Sequence, residues 1–343
     1  MWFRNLAIIN NTRLYLKSLT FTRFLNLLKL LAGFFLSRII GKPVFPAHPI
    51  ALSVEASGFC QLKCPECPTG AAALSRKKGI MDIKIYDNII NDTSKYILYL
   101  NLYFQGEPLL HSHISKFIRK ASEKNIYTTI STNAQLLDDS NCRNLTESGL
   151  SRIVISLDGF SQNVYETYRR GGNVENVKNG ILNLIKARKE FESSTPVIVV
   201  QTLAFNHNKH EIPAIQKWCK ESGVDKLEIK TAQMNDFGDG KVQPLKEKSR
   251  YQTSSEKEYS VPGKAYNHCW RQWSSAVITW NGQVVPCCYD KDAEHQLGNF
   301  SSKTFDKIIK SKESQQFKNI ILSKRKDIKM CENCPEGRNW FIG

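Results

Sequence analysis

The first 54 residues contain no acidic residue, and Glu55 is the first carboxylate of the chain. The same stretch is rich in lysine and arginine, and the whole chain carries a net charge of +16 at pH 7. Such a charge permits attraction to phosphate, whether in nucleic acid, anionic lipid or a phosphorylated substrate. No nucleic-acid-binding motif accompanies it, so we do not expect a nucleic-acid partner.

The apolar run at 21–40 lacks a small-residue cleavage site after it, which argues against a secretory signal. Its apolar residues recur at helical spacing, but Lys29 and Arg38 make it a poor membrane-spanning helix. We therefore expect a helical arm over 1–48. Its apolar face suits a membrane surface, contacted through residues 13–40, and suits equally well the chain's own core or an oligomer interface.

The ten cysteines include several CxxC-type spacings and do not resemble the framework of a small secreted module. We therefore expect reduced thiols and a cytoplasmic location, with peripheral contact at the inner face of the membrane as a variant of it.

From residue 50 onward, β-rich runs alternate with amphipathic helical stretches. Strands are predicted over 50–56, 96–104, 126–130, 152–157, 197–203 and 226–230, and helices over 81–94, 112–124, 138–148, 174–189 and 210–222. Strands joined by helical crossovers predict an α/β fold whose parallel sheet curls into a partial (β/α)6 barrel. The predicted domains are the arm at 1–48, the barrel at 49–235, a polar linker at 236–264 and a small C-terminal α+β domain at 265–343.

A fourth cysteine is missing beside Cys60, Cys64 and Cys67, which have the spacing CxxxCxxC. Three thiolates leave one iron of a [4Fe-4S] cluster without a protein ligand, so this iron can bind another molecule. Zinc sites usually pair one CxxC with a second distant pair, and the triplet alone therefore favours a cluster over zinc. It follows the first predicted strand, at the carboxyl edge where parallel sheets place their chemistry.

Further polar loops follow the next three strands. Gln105-Gly106-Glu107-Pro108 follows the second strand, and Ser131-Thr132-Asn133 ends the third. Gly106 lets the backbone approach a ligand closely, and Glu107 is a natural acceptor for an ammonium group. At the end of the fourth strand, alternation points Ser156 and Asp158 to one side, although Asp158 also suits the turn before Gly159.

Together these loops resemble the radical S-adenosylmethionine enzymes over residues 48–235. The resemblance implies a [4Fe-4S] cluster held by Cys60, Cys64 and Cys67, whose open iron binds S-adenosylmethionine. It also implies reductive release of a 5′-deoxyadenosyl radical, with an external electron donor such as flavodoxin or ferredoxin. Gln105 stands where the family usually has glycine. The predicted cofactor-binding residues are Gln105, Gly106, Glu107, Pro108, Ser131, Asn133, Ser156 and Arg169, and the predicted proton acceptors are Asp158 and Glu166.

Half of the ten cysteines fall in the last 80 residues. Between the first two of them, β-rich runs flank Asn281-Gly282, which predicts a hairpin with a type I′ turn. The hairpin brings Cys269 and Cys287 to one end, and Cys331 and Cys334 can close the site after a helix over about 305–322. Four cysteines suit structural zinc as well as a cluster. Cys288 is a spare thiol that can substitute for Cys287 as a ligand, although a buried neighbour is the favoured interpretation. Cys142 and Cys219 are expected to be core residues rather than ligands.

This C-terminal set resembles twitch, a shortened SPASM domain, over about 265–336. The resemblance implies one auxiliary [4Fe-4S] cluster held by Cys269, Cys287, Cys331 and Cys334. Such a cluster can take up an electron, so we expect oxidation or another modification of a small metabolite, a sugar or a membrane-linked substrate. A peptide-modifying maturase is the alternative, although we expect no small β-containing leader-binding unit before residue 50. An RNA-modifying enzyme and a zinc-bound scaffold are less favoured.

Overall fold

The computed structural model describes residues 11–234, 237, 242–245, 249, 251–255 and 258–338. In these residues a parallel sheet alternates with helices. The sheet elements are β1 (Ala51–Val54), β2 (Tyr99–Asn101), β3 (Tyr127–Thr132), β4 (Arg152–Ser156), β5 (Val197–Ala204) and β6 (Lys226–Thr231). The helices that follow them are α3 (Ile83–Thr93), α4 (Ile114–Glu123), α5 (Asp139–Glu147), α6 (Gln162–Tyr168), α7 (Val174–Glu190) and α8 (Ile212–Ser222).

The six strands pair in parallel in the order β1-β2-β3-β4-β5-β6. This arrangement confirms the predicted α/β class and the partial barrel. Consecutive strands are neighbours because each helical crossover returns the chain to the same edge. Their carboxyl ends therefore meet along one rim, where the cysteine triplet and the polar loops lie.

The C-terminal part adds α9 (Arg271–Ser274), β9 (Ser275–Ile278), β10 (Gln283–Val285) and β11 (Gly298–Asn299). A second, two-stranded sheet precedes it, formed by β7 (Gln252–Ser255) and β8 (Glu258–Ser260) in the region predicted as a linker. Strand β9 pairs in parallel with β1, so the C-terminal hairpin extends the barrel sheet to nine strands. This pairing attaches the C-terminal hairpin directly to the first barrel strand.

The hairpin at 281–282 is present, but the predicted type I′ turn is wrong. A type I′ turn needs positive φ at both central residues, whereas Gly282 has φ +81° and Asn281 is not among the residues with positive φ. Gly282 N donates to Thr279 O at 2.9 Å and Thr279 N donates to Gln283 O at 2.9 Å. The loop is therefore longer than two residues and has one left-handed position.

The helix predicted over about 305–322 is divided into α10 (Phe305–Ile309) and α11 (Lys312–Lys324), followed by α12 (Lys329–Glu332). Ser311 interrupts the run because it caps α11, accepting from Ser314 N at 3.1 Å. The division turns α11 so that Phe317 and Ile321 face the core.

The N-terminal arm contains two helices, α1 (Asn11–Ser18 in the described part) and α2 (Phe21–Ile40), which meet at an angle of 87°. Tyr15 of α1 stacks on Tyr127 with ring centroids 4.1 Å apart, and Asn11 accepts a hydrogen bond from the Tyr127 hydroxyl. Tyr127 begins β3, so α1 covers the amino end of the barrel, opposite the rim with the cysteines. Phe34 of α2 packs on Trp270 and Trp273 of the C-terminal part.

Candidate active site at the carboxyl rim

The loop with Cys60, Cys64 and Cys67 leaves β1 and folds back on itself. Cys67 N donates to Cys64 O at 3.2 Å, and Lys63 N donates to Arg170 O at 3.0 Å. Gly70 passes so close that a Cβ there would lie 2.5 Å from Cys64 N, which no larger residue tolerates without a shift. Cys64 is buried, whereas Cys60 and Cys67 are half-buried. The loop therefore holds the three thiols close together, with two of them partly open to the rim.

The surroundings of these thiols contain hydrogen-bond donors. Leu62 N lies 3.5 Å from Cys60 Sγ, Asn133 Nδ2 lies 3.6 Å from the same sulfur, and Arg169 Nη1 lies 3.9 Å from Cys64 Sγ. Burial raises the pKa of Cys64 to about 11, and the Arg169 charge opposes that shift. Donors of this kind stabilise thiolates and the sulfurs of a bound cluster.

The Gln105-Gly106-Glu107-Pro108 loop packs against the segment that precedes Cys60. Gly106 has φ +74°, and a Cβ there would lie 2.2 Å from Ser57 O and 2.7 Å from Phe59 O. The close approach that the glycine permits is therefore to the chain's own backbone, a reason that differs from the predicted approach to a ligand. Gln105 accepts a hydrogen bond from the Thr69 hydroxyl at 3.0 Å, and Pro108 begins a short 3-10 turn.

Glu107 is fully enclosed and its carboxylate is used by the chain itself. It accepts from the Thr132 hydroxyl at 2.7 Å, from Asn133 N at 2.8 Å and from Leu109 N at 3.1 Å. Burial raises its pKa, and these hydrogen bonds oppose the shift. The carboxylate thus fixes the end of β3 relative to the loop after β2, a structural use that the sequence prediction of an ammonium partner did not include.

Asn133 is the polar end of β3 that reaches the cysteine loop. Its side chain exchanges hydrogen bonds with the Gln61 side chain, with both contacts at 3.3 Å, in addition to its contact with Cys60. Ser131 is half-buried two residues earlier on the same strand. Gln61, Asn133 and Gln105 therefore bring amide groups to the rim beside the thiols.

Asp158 is completely buried at the end of β4. Its Oδ2 accepts from Arg169 Nε at 2.6 Å, and its Oδ1 accepts from Leu203 N at 2.6 Å. Burial lowers the pKa of Arg169, but the negative charges of the Asp158 carboxylate and the Cys64 sulfur raise it by more. The net effect is a raised pKa for Arg169. Because both carboxylate oxygens have partners, this geometry favours positioning of Arg169 over the predicted proton transfer.

The remaining predicted site residues lie in different surroundings. Ser156 is buried on β4, two residues before Asp158. Glu166 is exposed on α6 and accepts from Gln162 Nε2 at 3.2 Å, so its carboxylate points to solvent rather than to the thiols. A cavity of about 600 Å³ adjoins the cysteine loop, and it is lined by Gln61, Lys63, Pro65, Gly70, Ala71, Arg170, Gly171 and Phe237.

The four C-terminal cysteines predicted as ligands are all buried, and electrostatic interactions link their sulfurs. Burial raises the pKa of each thiol, that of Cys334 to about 11. Cys288 was expected to be a buried neighbour, but it is half-buried. It interacts electrostatically with Tyr103 and Lys291. Cys142 and Cys219 are buried in the main core.

A buried cation stands among the C-terminal thiols. Arg325 is 1% exposed, and its guanidinium donates to Tyr266 O at 3.3 Å, to His268 O at 3.2 Å and to Glu336 O. Its charge opposes the pKa rise of Cys269, Cys331 and Cys334. The chain therefore provides positive charge where four thiolates would otherwise repel one another.

Lys291 lies near Cys67 of the first cysteine set and near Cys288. Lys291, three residues after Cys288, is largely enclosed and donates to Gln233 Oε1 at 3.5 Å. Burial lowers its pKa, and the charges of Cys67 and Cys288 oppose the shift, so its ammonium lies within electrostatic reach of Cys67 and of the residue next to Cys287. Arg76 binds the Lys291 carbonyl at 2.6 Å and pairs with the fully buried Glu55.

Sequence reasoning missed several of these residues. Thr132, Arg325, Lys291 and the Glu55–Arg76 pair act through contacts between distant segments, and no local motif marks them. One signal was available: Glu55 directly follows the mostly apolar strand β1, and a carboxylate buried at such a position needs a partner.

The residues present fit an iron-sulfur cluster at each set. Among the described residues no three His, Cys, Asp or Glu side chains converge on the position of a single ion. A cube-type cluster binds each thiolate to a different iron, so its ligands need not converge in this way. Thiol ligands, amide and guanidinium donors to sulfur, and the amide groups beside the first set match the chemistry of a cluster and of S-adenosylmethionine.

Comparison with known proteins agrees with this reading. The model of the radical SAM superfamily matches residues 54–219, and the model of an iron-sulfur cluster-binding domain named SPASM matches residues 269–335. The chain is 27% identical over 255 residues to the tungsten-containing aldehyde ferredoxin oxidoreductase cofactor-modifying protein of Pyrococcus furiosus, covering 69% of this chain and 70% of that protein. It is 24% identical over 186 residues to the PqqA peptide cyclase of Bradyrhizobium diazoefficiens, covering 54% of this chain and 47% of that protein.

Among solved structures, SuiB of Streptococcus suis bound to S-adenosylmethionine has the same fold, with a TM-score of 0.62 and 18% identity over 84% of this chain and 71% of that chain. SuiB has also been solved with the precursor peptide SuiA. The cofactors are a [4Fe-4S] cluster with S-adenosylmethionine and an auxiliary cluster, so iron-sulfur chemistry replaces the zinc alternative. This chain is an enzyme of the radical SAM superfamily with a C-terminal SPASM domain.

Proposed function

We propose that this enzyme oxidises an organic substrate by two electrons, with the auxiliary cluster accepting the second electron. When bound, the [4Fe-4S] cluster and S-adenosylmethionine supply a 5′-deoxyadenosyl radical that abstracts a hydrogen atom from a substrate carbon. Loss of one further electron and one proton then completes the oxidation, while S-adenosylmethionine becomes methionine and 5′-deoxyadenosine. We assign Cys60, Cys64 and Cys67 to the first cluster. The ligands assigned to the auxiliary cluster are Cys269, Cys287, Cys331 and Cys334.

The observation that carries the proposal is the position of Lys291. The Lys291 ammonium interacts with the charges of Cys67, in the first set, and of Cys288, the neighbour of Cys287. A substrate bound at Lys291 would lie near the first cysteine set and near the neighbour of Cys287, which suits hydrogen abstraction at the first set and electron transfer to the second. The ammonium is a donor that can orient a substrate oxygen, and Gln233 holds it in place.

In this proposal the other residues at the rim bind and orient S-adenosylmethionine and the first cluster. Gln61, Gln105 and Asn133 offer amides to S-adenosylmethionine, and Ser131 and Ser156 lie nearby on their strands. Asp158 positions Arg169 beside Cys64, where the guanidinium can donate to cluster sulfur or to a cofactor carboxylate. Glu107 keeps Asn133 in place by accepting a hydrogen bond from the backbone N–H of Asn133.

An external electron donor is part of the proposal. Lys63 is exposed on the cysteine loop, and Arg170 lies beside it along the same cavity. A flavodoxin or ferredoxin with an acidic surface would be attracted to these cations, because complementary charge accelerates encounter.

A peptide substrate is the second candidate, and the comparisons support it. One curated relative is a PqqA peptide cyclase and SuiB binds a precursor peptide, whereas the other relative modifies a cofactor. The small-molecule and peptide alternatives share the same hydrogen abstraction, so the source of the hydrogen distinguishes them.

The test uses reconstituted enzyme, reductant and S-adenosylmethionine under anaerobic conditions, with extract from cells grown in heavy water. Deuterium in the 5′-deoxyadenosine reports abstraction from an extract component. We expect the label to come from the small-molecule fraction, and to depend on Lys291, so that Lys291→Met reduces deuterium transfer but not cofactor cleavage. Label that comes only from a peptide fraction, and disappears after protease treatment, would favour the peptide candidate. Cofactor cleavage without deuterium in any fraction would contradict hydrogen abstraction from a cellular substrate.

A further inference from the structure

The long helix α2 buries three polar side chains beside Leu30 and Phe34, and leaves most of its large apolar side chains exposed. Arg23, Asn26 and Ser37 are each less than 10% exposed. By contrast, large apolar side chains stand in solvent on the other face, with Phe21 76% and Ile39 82% exposed. The same face carries Phe24, Leu25, Leu28, Phe35, Leu36 and Ile40, all at least 39% exposed. An ordinary surface helix has the opposite arrangement.

Hydrogen bonds fix this orientation. Arg23 donates to Ser94 O at 2.7 Å, to Lys124 O at 2.7 Å and to Asn125 O at 2.8 Å. Asn26 donates to His48 O at 2.8 Å and accepts from His48 N at 2.9 Å. Ser37 accepts from Val44 N at 2.7 Å.

Rotating the helix to bury its apolar face would break every one of these contacts and leave buried carbonyls without donors, which is costly. The apolar face is therefore held outward. Contiguous exposed apolar patches of this extent mark interaction sites.

The charge beside the patch identifies the occupant. Arg13, Lys17, Lys29 and Lys42 are exposed along α1, α2 and the turn that follows. No acidic residue lies in the first 54 residues to offset them. Apolar side chains flanked by cations, without acidic residues, match the acyl boundary and the anionic head groups of a membrane surface.

We propose that α1 and α2 dock the enzyme on an anionic lipid surface, with the apolar face of α2 in the interfacial region and the basic side chains among the head groups. Exposed Leu16 and Leu19 of α1 continue the patch. No single helix in the described residues is long and apolar enough to cross a membrane. Taken together, the bent pair of α1 and α2 has the length and composition of a membrane span.

Docking also orients the site. Arg23 binds the turns that precede β2 and β3, whereas Gln105 and Asn133 follow those strands. The helix therefore lies at the amino ends of these strands, and the loop with Cys60, Cys64 and Cys67 lies at the carboxyl rim. The active site faces away from the bilayer, so the surface anchors the enzyme rather than delivering a membrane-embedded group into the site. This inference is independent of the proposed reaction.

The experiment is sedimentation of the full-length holoenzyme with sucrose-loaded vesicles of phosphatidylcholine, with or without phosphatidylglycerol. We expect binding to the anionic vesicles, weakened by raised salt. The triple variant Phe21→Gln, Leu28→Gln, Ile39→Gln should lose at least about tenfold in partitioning. The triple variant Arg13→Gln, Lys17→Gln, Lys29→Gln should lose about fivefold for each cation removed.

The controls have the same chemistry elsewhere on the protein. Leu182→Gln with Ile320→Gln replaces apolar residues that are 45% and 42% exposed outside the patch, and should leave binding unchanged. The second control is a triple variant that removes three exposed cations on the C-terminal part, Lys303→Gln, Lys312→Gln and Lys326→Gln. Iron content and cofactor cleavage should be the same in all variants, which verifies folding and separates this test from that of the reaction.

Several results would overturn the proposal. They are the absence of vesicle binding, equal binding by patch and control variants, and attachment that resists high salt, as expected of a spanning segment. Two further results would assign the patch to another occupant: a concentration-dependent dimer that only the patch variants disrupt, or vesicle binding that appears only after removal of residues 1–10.

Discussion

Arg169 Nε donates to Asp158 Oδ2 at 2.6 Å, and the same guanidinium reaches to 3.9 Å from Cys64 Sγ. Asp158 is completely buried, and Arg169 is its ion partner. The pair joins the end of β4 to the cysteine loop. It places a largely buried cation beside a predicted cluster ligand.

Asp158→Asn should therefore destabilise the enzyme by about 3 kcal/mol, because it leaves a largely buried guanidinium without its ion partner. Anaerobic thermal unfolding measures the loss, and the double variant Asp158→Asn, Arg169→Gln should recover part of it. The control is Glu166→Gln, which alters an exposed carboxylate and should change neither stability nor product formation. Unchanged stability with abolished product formation in Asp158→Asn would restore the proton-acceptor role.

Glu107→Gln should cost about 1–3 kcal/mol, because an amide cannot accept at both positions where the carboxylate meets Thr132, Asn133 and Leu109. Loss of the contact with Asn133 N should also weaken binding of S-adenosylmethionine, as measured by equilibrium dialysis of the reconstituted protein. Glu147→Gln is the matched control: Glu147 and Arg119 are about half exposed, and their ion pair should contribute less than about 1 kcal/mol. Full affinity and stability in Glu107→Gln would contradict the structural use of this carboxylate.

Arg325→Met should make the auxiliary cluster harder to reduce and easier to lose. Removing a buried positive charge beside Cys269, Cys331 and Cys334 disfavours the additional electron, so the midpoint potential should become more negative. A redox titration followed by electron paramagnetic resonance measures the potential, and iron analysis measures retention. Arg119→Met, on the exposed surface of α4, should leave both unchanged. A potential equal to that of the wild type would mean that Arg325 only supports the loop.

Lys318 links stability to pH. Its side chain is buried on α11, with Nζ 2.7 Å from Ser314 Oγ and 4.4 Å from the centre of the Phe45 ring, and burial lowers its pKa to about 7. The unfolded chain retains the ordinary lysine pKa near 10.4, so it binds this proton more tightly than the folded enzyme does. Stability should therefore rise as the pH increases from about 7 to 10.

Lys318→Met removes that proton linkage. The variant should be more stable than the wild type at pH 7 by up to about 5 kcal/mol, and the gain should shrink as the pH approaches 10. Thermal unfolding at three pH values measures the trend, with Lys324→Met as the exposed control on the same helix. A stability difference that does not change with pH would indicate that Lys318 stays charged in the folded enzyme.

Local sequence patterns predicted the barrel because apolar residues recur every two residues in its strands and every three to four residues in its helices. The range 174–189, for example, differs from α7 by one residue. The apolar periodicity did not predict the orientation of α2. The inward face is determined by the hydrogen bonds of Arg23, whose acceptors lie 71 to 102 residues away along the chain. The same limit applies to Glu107 and Lys291, whose partners come from other strands and loops. The turn at Gly282 differed because its register depends on pairing between β9, β10 and β11.

Iron stoichiometry in matched cysteine variants tests the central claim most directly, namely that each of the two cysteine sets holds one four-iron cluster. The anaerobically reconstituted wild type should contain about eight irons per chain and convert S-adenosylmethionine to 5′-deoxyadenosine on reduction. Replacing Cys60, Cys64 and Cys67 by alanine should leave about four irons and no cleavage, whereas replacing Cys269, Cys287 and Cys331 should leave about four irons with cleavage retained. Cys142→Ala, at a buried core thiol, should keep all eight. Bound zinc in place of iron, or equal iron loss in Cys142→Ala, would contradict the account.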